Sequence, residues 1–366
     1  MPNNKVSLSI SGRDYYGWTD VKIIVSLQSF ARSFEMSLTA KTEESKSGAF
    51  RIKSGESVDV RIGAEKVLSG YVVEVSENYS ATNHQIRIKG NSKTVDLIDC
   101  CIPDGCALSY KQQTPGDIIK TVAAYYGIGF VSEIVKTDKI NADFSAEEKI
   151  KSGFEKIIKK NSLLLTDDEQ GRLVLVFAGS GGYCNDSISV GHNVLSGYRS
   201  VNASGLYSRY VILGQGANPL SQRPLKDLQL KEVAEDSDIR KRVLTILQSG
   251  DAVATEMQTR VSIYKDFSQA ESETLQYTLR GWRQTNGDLW PVNSFVTVKD
   301  SVLDVAKEYL ITSVTYSLTA SGMTSTLELK SPKAFLDTAQ KTVQEAVKNL
   351  SVTSIGSVAK ASWTSK

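Results

Sequence analysis

Apolar and polar residues alternate with a period of two along much of the chain, most plainly between Ser272 and Lys330. Four runs there, Glu273–Gly281, Ser294–Lys299, Glu308–Leu318 and Met323–Lys330, are rich in Val, Ile, Thr, Tyr and Phe. Such runs predict half-buried β-strands. Turn formers separate them: Asn286-Gly287-Asp288, Asp300 and Ser321-Gly322. The N-terminal region has the same texture. Strands are expected at Val6–Ile10, Asp20–Leu27, Ser33–Thr39, Ser57–Ile62, Val67–Ser76 and His84–Lys89. Six short strands at this spacing predict a small barrel or sandwich.

The two ends can be laid over one another. Phe34–Ala40 matches Leu275–Gly281, Ser57–Ile62 matches Ser294–Lys299, Val67–Ser76 matches Tyr309–Leu318, and His84–Lys89 matches Ser325–Lys330. The remaining N-terminal strand, Val21–Leu27, is expected to correspond to Tyr207–Leu213, which leaves an insertion at about residues 216–271 of the second copy. The expected organisation is mainly β with α+β additions. Residues 1–97 form a first β-barrel domain, 98–187 an α+β domain, and 188–215 with 272–333 a second barrel. Residues 216–271 form an inserted strand pair and helix, and 334–366 a C-terminal helix and tail.

In the α+β segment, Thr114-Pro115 reads as an N-cap followed by a first-turn proline, with Ile118, Ile119, Val122 and Tyr126 on one helical face and Gly127 as the stop. Ser145 with Glu148 reads as a capping box opening a second helix. A hairpin then follows, Ser162–Thr166 and Arg172–Phe177, around a turn at Asp167–Gly171. The insertion is expected to hold Leu228–Ala234 paired with Arg240–Leu247, then a helix over Asp251–Phe267. Ala334–Leu350 reads as an amphipathic helix, followed by a polar tail carrying Val352, Ile355, Val358 and Trp363.

Composition adds exclusions. The net charge of +2 gives no bias toward nucleic acid or anionic membrane, and no apolar run is long enough to span a bilayer. No leader of basic then apolar residues opens the chain, which suggests a protein kept in a cytoplasm. Cys100, Cys101, Cys106 and Cys184 lack the paired spacing of a zinc site and read as free thiols. Neither histidine, His84 or His192, has a nucleophile motif nearby. Asp167-Asp168 reads as turn residues rather than an acid–base pair. The glycine-rich stretches 179–182 and 214–216 lack the following Lys-Ser/Thr of a phosphate loop. No catalytic, metal or cofactor set emerges, and a duplicated β-domain without a site points to architecture.

The stretch Gly281-Trp-Arg-Gln284 … Asn286-Gly-Asp-Leu-Trp290-Pro-Val-Asn293, with Tyr309–Tyr316 and Leu327–Phe335, resembles the baseplate hub proteins of Mu-like phages and prophages. Ile10–Tyr15, Ser33–Leu38 and Asn161–Val176 extend the resemblance over nearly the whole chain. The resemblance implies a homotrimer in which each chain supplies two tube-like barrels. The pseudo-sixfold ring so formed would adapt a hexameric tail tube to a trimeric central spike, within a virion baseplate assembled in the host cytoplasm. The partners implied are the chain itself, the tube protein, the spike and other baseplate proteins. Val352, Ile355, Val358 and Trp363 are candidate anchors for the spike or a neighbouring chain. The alternative is a phage-derived surface or polysaccharide-binding protein, with Trp282, Trp290 and Trp363 stacking on sugars. A cell-wall hydrolase within residues 98–187 is a third possibility.

Overall fold

The computed structural model describes residues 4–39, 52–80, 84–134, 138–160, 163–216, 229–251 and 253–335. All but the first two residues of the expected helix at 334–350, and the anchors Val352, Ile355, Val358 and Trp363, lie outside them. The chain divides into two compact units, one of residues 1–199 with 274–330 and one of residues 200–273 with 331–366.

The first unit opens with seven strands: β1 (Val6–Ile10), β2 (Arg13–Tyr15), β3 (Asp20–Ser26), β4 (Ser33–Thr39), β5 (Ser57–Ile62), β6 (Glu65–Tyr79) and β7 (His84–Ser92). Ser11 (φ 49°) and Gly12 (φ 77°) make the two-residue β1–β2 turn. Positive φ at both central positions matches the right-handed twist of a hairpin. In β4 the apolar Phe34, Met36 and Leu38 are buried while Glu35 is not, the division that alternation predicts.

An α+β region follows. It contains β8 (Ser109–Gln113), helix α1 (Pro115–Tyr125), β9 (Phe130–Ser132), β10 (Ile140–Asp143), helix α2 (Ile150–Lys160), β11 (Leu164–Asp167) and β12 (Leu173–Val176). Thr114 caps α1 as expected, its hydroxyl accepting from the Asp117 N–H at 3.2 Å. The expected capping box at Ser145 does not open α2. Residues 146–148 form a turn, and Lys149 bridges to Cys101 before the helix starts at Ile150. Ile118, Ile119, Val122, Phe154 and Ile157 meet Leu165 and Leu173 in one core. Burial of several such side chains, each worth roughly 1.5–3 kcal/mol, drives the packing.

Next come β13 (Ile188–Ser189) and β14 (Val194–Val201). The second unit holds β15 (Arg209–Gln215), β16 (Gln229–Glu235), β17 (Val243–Asp251) and helix α3 (Ala254–Ser272). Here the sequence reading needs two corrections. The segments around 229–235 and 243–251 do not pair with each other; β15 lies between them, antiparallel to β16 and parallel to β17. Tyr207–Leu213 is therefore not a strand of the second repeat. The physical reason is apolarity. Tyr210, Val211 and Ile212 are buried and suit a central strand, whereas the more polar β16 and β17 tolerate the edges. Met257 and Val261 of α3 cover Tyr210 and Ile212.

The first unit is completed by β18 (Glu273–Arg280), β19 (Phe295–Asp300), β20 (Val305–Thr319) and β21 (Gly322–Lys330). Its 13-stranded sheet has the main path β14-β18-β21-β20-β3-β4-β7-β6-β5-β1-β2, with β19 pairing β20 and β13 pairing β19.

Candidate assembly interface

The same strand order occurs twice in that sheet. The first copy runs β3-β4-β7-β6-β5-β1, and the second β14-β18-β21-β20-β19-β13. The long central strands β6 and β20 are each 15 residues. Each is irregular at the same place: pairing steps from Val72–Gly90 to Glu74–Lys89 in one, and from Ile311–Leu329 to Ser313–Glu328 in the other. With these bulges superposed, Phe34 corresponds to Leu275, Met36 to Tyr277 and Leu38 to Leu279, all buried. The match Phe34–Ala40 with Leu275–Gly281 is thus in register, whereas those of Ser57–Ile62, Val67–Ser76 and His84–Lys89 join the right strands but in shifted register. The missing first strand of the second copy is β14, so the insertion between copies of this element runs from about residue 202 to 272.

Among the described residues, strands of the two copies pair in one place within the chain. β20 pairs antiparallel with β3, Ser313 opposite Ser26 through Leu318 opposite Val21. In the first copy the segment equivalent to Ser313–Leu318 is Glu74–Tyr79. β7 flanks it on one side, and no strand among the described residues flanks it on the other. At the far end of the sheet β14 has β18 on one side and no described strand on the other. One chain therefore presents one completed junction and the two halves of a second.

The side chains that mark the family resemblance turn out to hold this sheet together. Trp282 and Trp290 are 0% and 2% exposed. Trp282 Nε1 donates to the carbonyls of Ser317 and Thr324, each at 3.0 Å, and the Trp290 carbonyl accepts from the Tyr316 hydroxyl. Indoles buried to this extent cannot stack on a sugar, so these two are not the glycan platform considered above. Trp363 lies outside the described residues. Arg283 clamps the copies together. Its Nε donates to Asn4 at 2.8 Å, Nη2 to the Ile62 carbonyl at 3.3 Å, and it pairs with Glu65. Gln284 accepts from the Asn185 and Asp186 N–H groups at 2.7 and 3.1 Å. Asn293, with φ 60°, binds Gly179 and Phe177, which explains the 178–182 loop as a connector.

One carboxylate departs from the sequence reading. Asp168 is the turn residue expected, accepting from the Gln170 and Arg172 N–H groups at 3.0 and 2.9 Å. Asp167 instead ends β11 and is buried against Arg32, whose N–H and Nε donate to it at 3.0 and 3.3 Å. Burial pushes the Asp167 carboxyl up, while the Arg32 guanidinium opposes that shift. Only spatial proximity reveals the pair, because 135 residues separate them. Asp300 accepts from the Tyr277 hydroxyl at 2.9 Å and from the Val302 and Leu303 N–H groups at 2.8 and 2.9 Å. Burial would raise its carboxyl, but these hydrogen bonds outweigh it and hold the group below the usual range. Burial pushes the Cys184 thiol up to about 12, so it suits a packed thiol rather than a nucleophile. All four cysteines are free. Among the described residues no group of three or more His, Cys, Asp or Glu could hold a metal.

The comparisons agree with this architecture. Residues 5–92 match the family model of the N-terminal domain of the Mu phage baseplate assembly protein GpP-like. Residues 94–176 match the second domain of baseplate hub protein gp44-like, and residues 253–338 the fourth domain of GpP. Baseplate hub protein gp44 of Escherichia phage Mu is 26% identical over 345 residues, covering 91% of this chain and 89% of its own. The 43 kDa tail protein of prophage MuSo2 from Shewanella oneidensis superposes with a TM-score of 0.79 at 26% identity, over 90% of this chain and 99% of its own. A component of the Escherichia coli type VI secretion system shares the fold at a TM-score of 0.52 and 11% identity, over 91% of this chain and 79% of its own. The family models at both ends fall on the two copies of the repeated sheet, and the match to the phage Mu hub runs almost from end to end, so the chain belongs to the baseplate hub proteins of Mu-like phages, structural components of the tail and not enzymes.

Proposed function

We propose that three copies of this chain form a ring with pseudo-sixfold symmetry that adapts a hexameric tail tube to a trimeric central spike. The observation that carries the reading is the strand order present twice in one sheet. A sixfold partner offers six similar surfaces, and three chains meet them all only if each offers two. Closed cyclic assembly is the common outcome for such repeated contacts. In this reading residues 1–97 and the strands β13, β14 and β18–β21 are the two tube-like domains, and the α+β region and the 202–272 insertion face other baseplate proteins. The ring belongs to the virion baseplate and is assembled in the host cytoplasm. The tail beyond Leu350, with Val352, Ile355, Val358 and Trp363, docks the spike or a neighbouring chain. Full-length protein should sediment at three times the 40.0 kDa chain mass. A monomer at high concentration would overturn the ring. Truncation after Leu350 should weaken spike binding, and unchanged binding would remove the docking role.

A further inference from the structure

The three-stranded sheet of the second unit, in the order β16-β15-β17, has one covered face and one open face. Helix α3 lies over Tyr210 and Ile212, and Leu230, Leu244 and Ile246 pack into the same layer. Side chains alternate across a strand, so Arg209, Val211 and Leu213 of β15 belong to the other face. Pairing sets that face out in rows: Glu235, Arg209 and Val243, then Val233, Val211 and Thr245, then Lys231, Leu213 and Leu247. The charged members lie on the β16 side, where Arg209 and Glu235 pair at 3.7 Å. Toward β17 the face is apolar. Val211 is buried, but Leu213, Val243 and Leu247 are 37%, 53% and 77% exposed. A lone exposed leucine is ordinary, whereas a cluster of apolar side chains on one sheet face calls for a second covering layer.

The chain itself supplies a cover of the right pattern and reach. Residues 331–366 group with residues 200–273. β21 pairs with β18, Leu329 opposite Leu275, so the chain returns to the C-terminal end of α3. The turn Pro332–Ala334 then lies beside α3. That end of α3 stands by the first row of the open face: Lys265 Nζ donates to the Glu235 carbonyl and Gln269 Nε2 to Asp236, each at 2.6 Å. The described chain therefore stops, at Phe335, near the end of the sheet where the open face begins. In the sequence that follows, Leu336, Ala339, Val343, Ala346, Val347 and Leu350 share an arc of about 120° on a helical wheel. Asp337, Lys341, Glu345 and Lys348 fall opposite. A helix over residues 336–350 is ~22 Å long and the rows span ~13 Å along the strands, so it crosses the whole face even with its first turn spent rounding the sheet end. A helix of this length is marginal alone in water, so its apolar stripe needs a surface, and its own unit offers this one.

We infer that residues 336–350 form a helix packed over Leu213, Val243 and Leu247 of the same chain, which makes the second unit a sheet between two helices. The inference does not depend on the number of copies in the ring. It fixes where the tail beyond Leu350 starts, on the surface of the second unit.

The test is hydrogen exchange, read by mass spectrometry, on the full-length protein. Amides of residues 336–350 should exchange more than about tenfold slower than in the free peptide of that sequence. Leu247→Asp should return them to the free-peptide rate, while Lys231→Glu, on the charged side of the same face, should not. Free-peptide rates in the unmodified protein overturn the inference, and so does protection that survives Leu247→Asp. Val343→Asp leaves the residues of the sheet unaltered, yet it should speed exchange in β17, which a helix docked elsewhere would not do. Leu247→Cys with Val343→Cys, joined by a bismaleimide in a mixture of light and heavy isotope-labelled chains, identifies the occupant. Linked peptides of a single isotope place the helix on its own chain. Mixed-isotope links give the face to a second copy and overturn the inference, as does the absence of any link between positions 247 and 343. A monomeric protein that passes these tests removes the ring and leaves this layer standing, and a trimer that fails them does the reverse.

Discussion

The two copies of the repeated sheet agree in their interiors and differ on their wetter faces. Phe34, Met36 and Leu38 are answered by Leu275, Tyr277 and Leu279, all buried. On the other face the first copy carries Lys22, Glu35, Glu74, Arg87 and Lys89, with Arg87 paired to Glu35 and Lys89 to Glu74. At the matching positions of β18, β20 and β21 the second copy has Gln276, Thr278, Ser313, Thr315, Thr326 and Glu328, and Thr278 and Thr326 share a hydrogen bond at 3.2 Å. The lesson is that burial and register hold a strand in place while its solvated side chains drift. The connections differ as well. Between β3 and β4 the first copy needs only residues 27–32, and Arg32 at their end is held by Asp167. Between β14 and β18 the second copy places the whole 202–272 insertion.

The largest expected effect lies at that short connection. Arg32→Met removes the only charged partner found at the buried Asp167 carboxylate among the described residues. Stranding one member of a buried ion pair costs about 3–5 kcal/mol, which urea unfolding should register as a clear drop in midpoint. A midpoint within experimental scatter of the parent would show that the α+β region does not brace the first copy. Next come the matched core positions. Met36→Ala and Tyr277→Ala should each lose roughly 2–5 kcal/mol. Tyr277→Ala should fall at the upper end, since it also takes a hydroxyl from Asp300. Equal losses would mean that the hydrogen-bonded ring adds nothing to the second copy.

A smaller effect depends on pH. The folded Asp300 carboxyl sits below its ordinary value, so its contribution is fully present above the unfolded carboxylate range near about pH 4 and is lost as pH falls through the folded value. Asp300→Asn should therefore shrink the loss of thermal stability between neutral and acid pH. An unchanged acid slope would remove Asp300 from the account. The smallest effect belongs to the face that differs most. Glu74→Ser with Lys89→Thr replaces this charge pair by neutral side chains, serine being the residue at the matching position 313 of the second copy. Exposed pairs of this kind contribute about 0–1 kcal/mol, so the melting temperature should barely move. A large drop would show that the charges, and not the buried register, hold this sheet.

Strands, helix α1 and most of the duplication were legible in the sequence because each depends on local alternation or capping: Ser33–Thr39 and Ser57–Ile62 coincide with β4 and β5. The first strand of the second copy was not. β14 (VLSGYRSV) exposes most of its residues and alternates poorly, whereas β15 (RYVILGQ) looks like a strand of any sheet. Pattern reports that a strand exists, and only pairing reports which sheet it joins. The open edges were invisible for the same reason, as was the Arg32–Asp167 pair. Trp282 and Trp290 show the converse error, since large aromatics read as surface stacking groups proved to be core.

The claim that three chains stand in for six is tested most directly by rotational analysis of face-on electron micrographs of the purified full-length assembly. The account predicts a closed ring with exact threefold symmetry and a strong sixfold component from the alternating copies. A threefold particle without that component, or a particle of any other order, would contradict it.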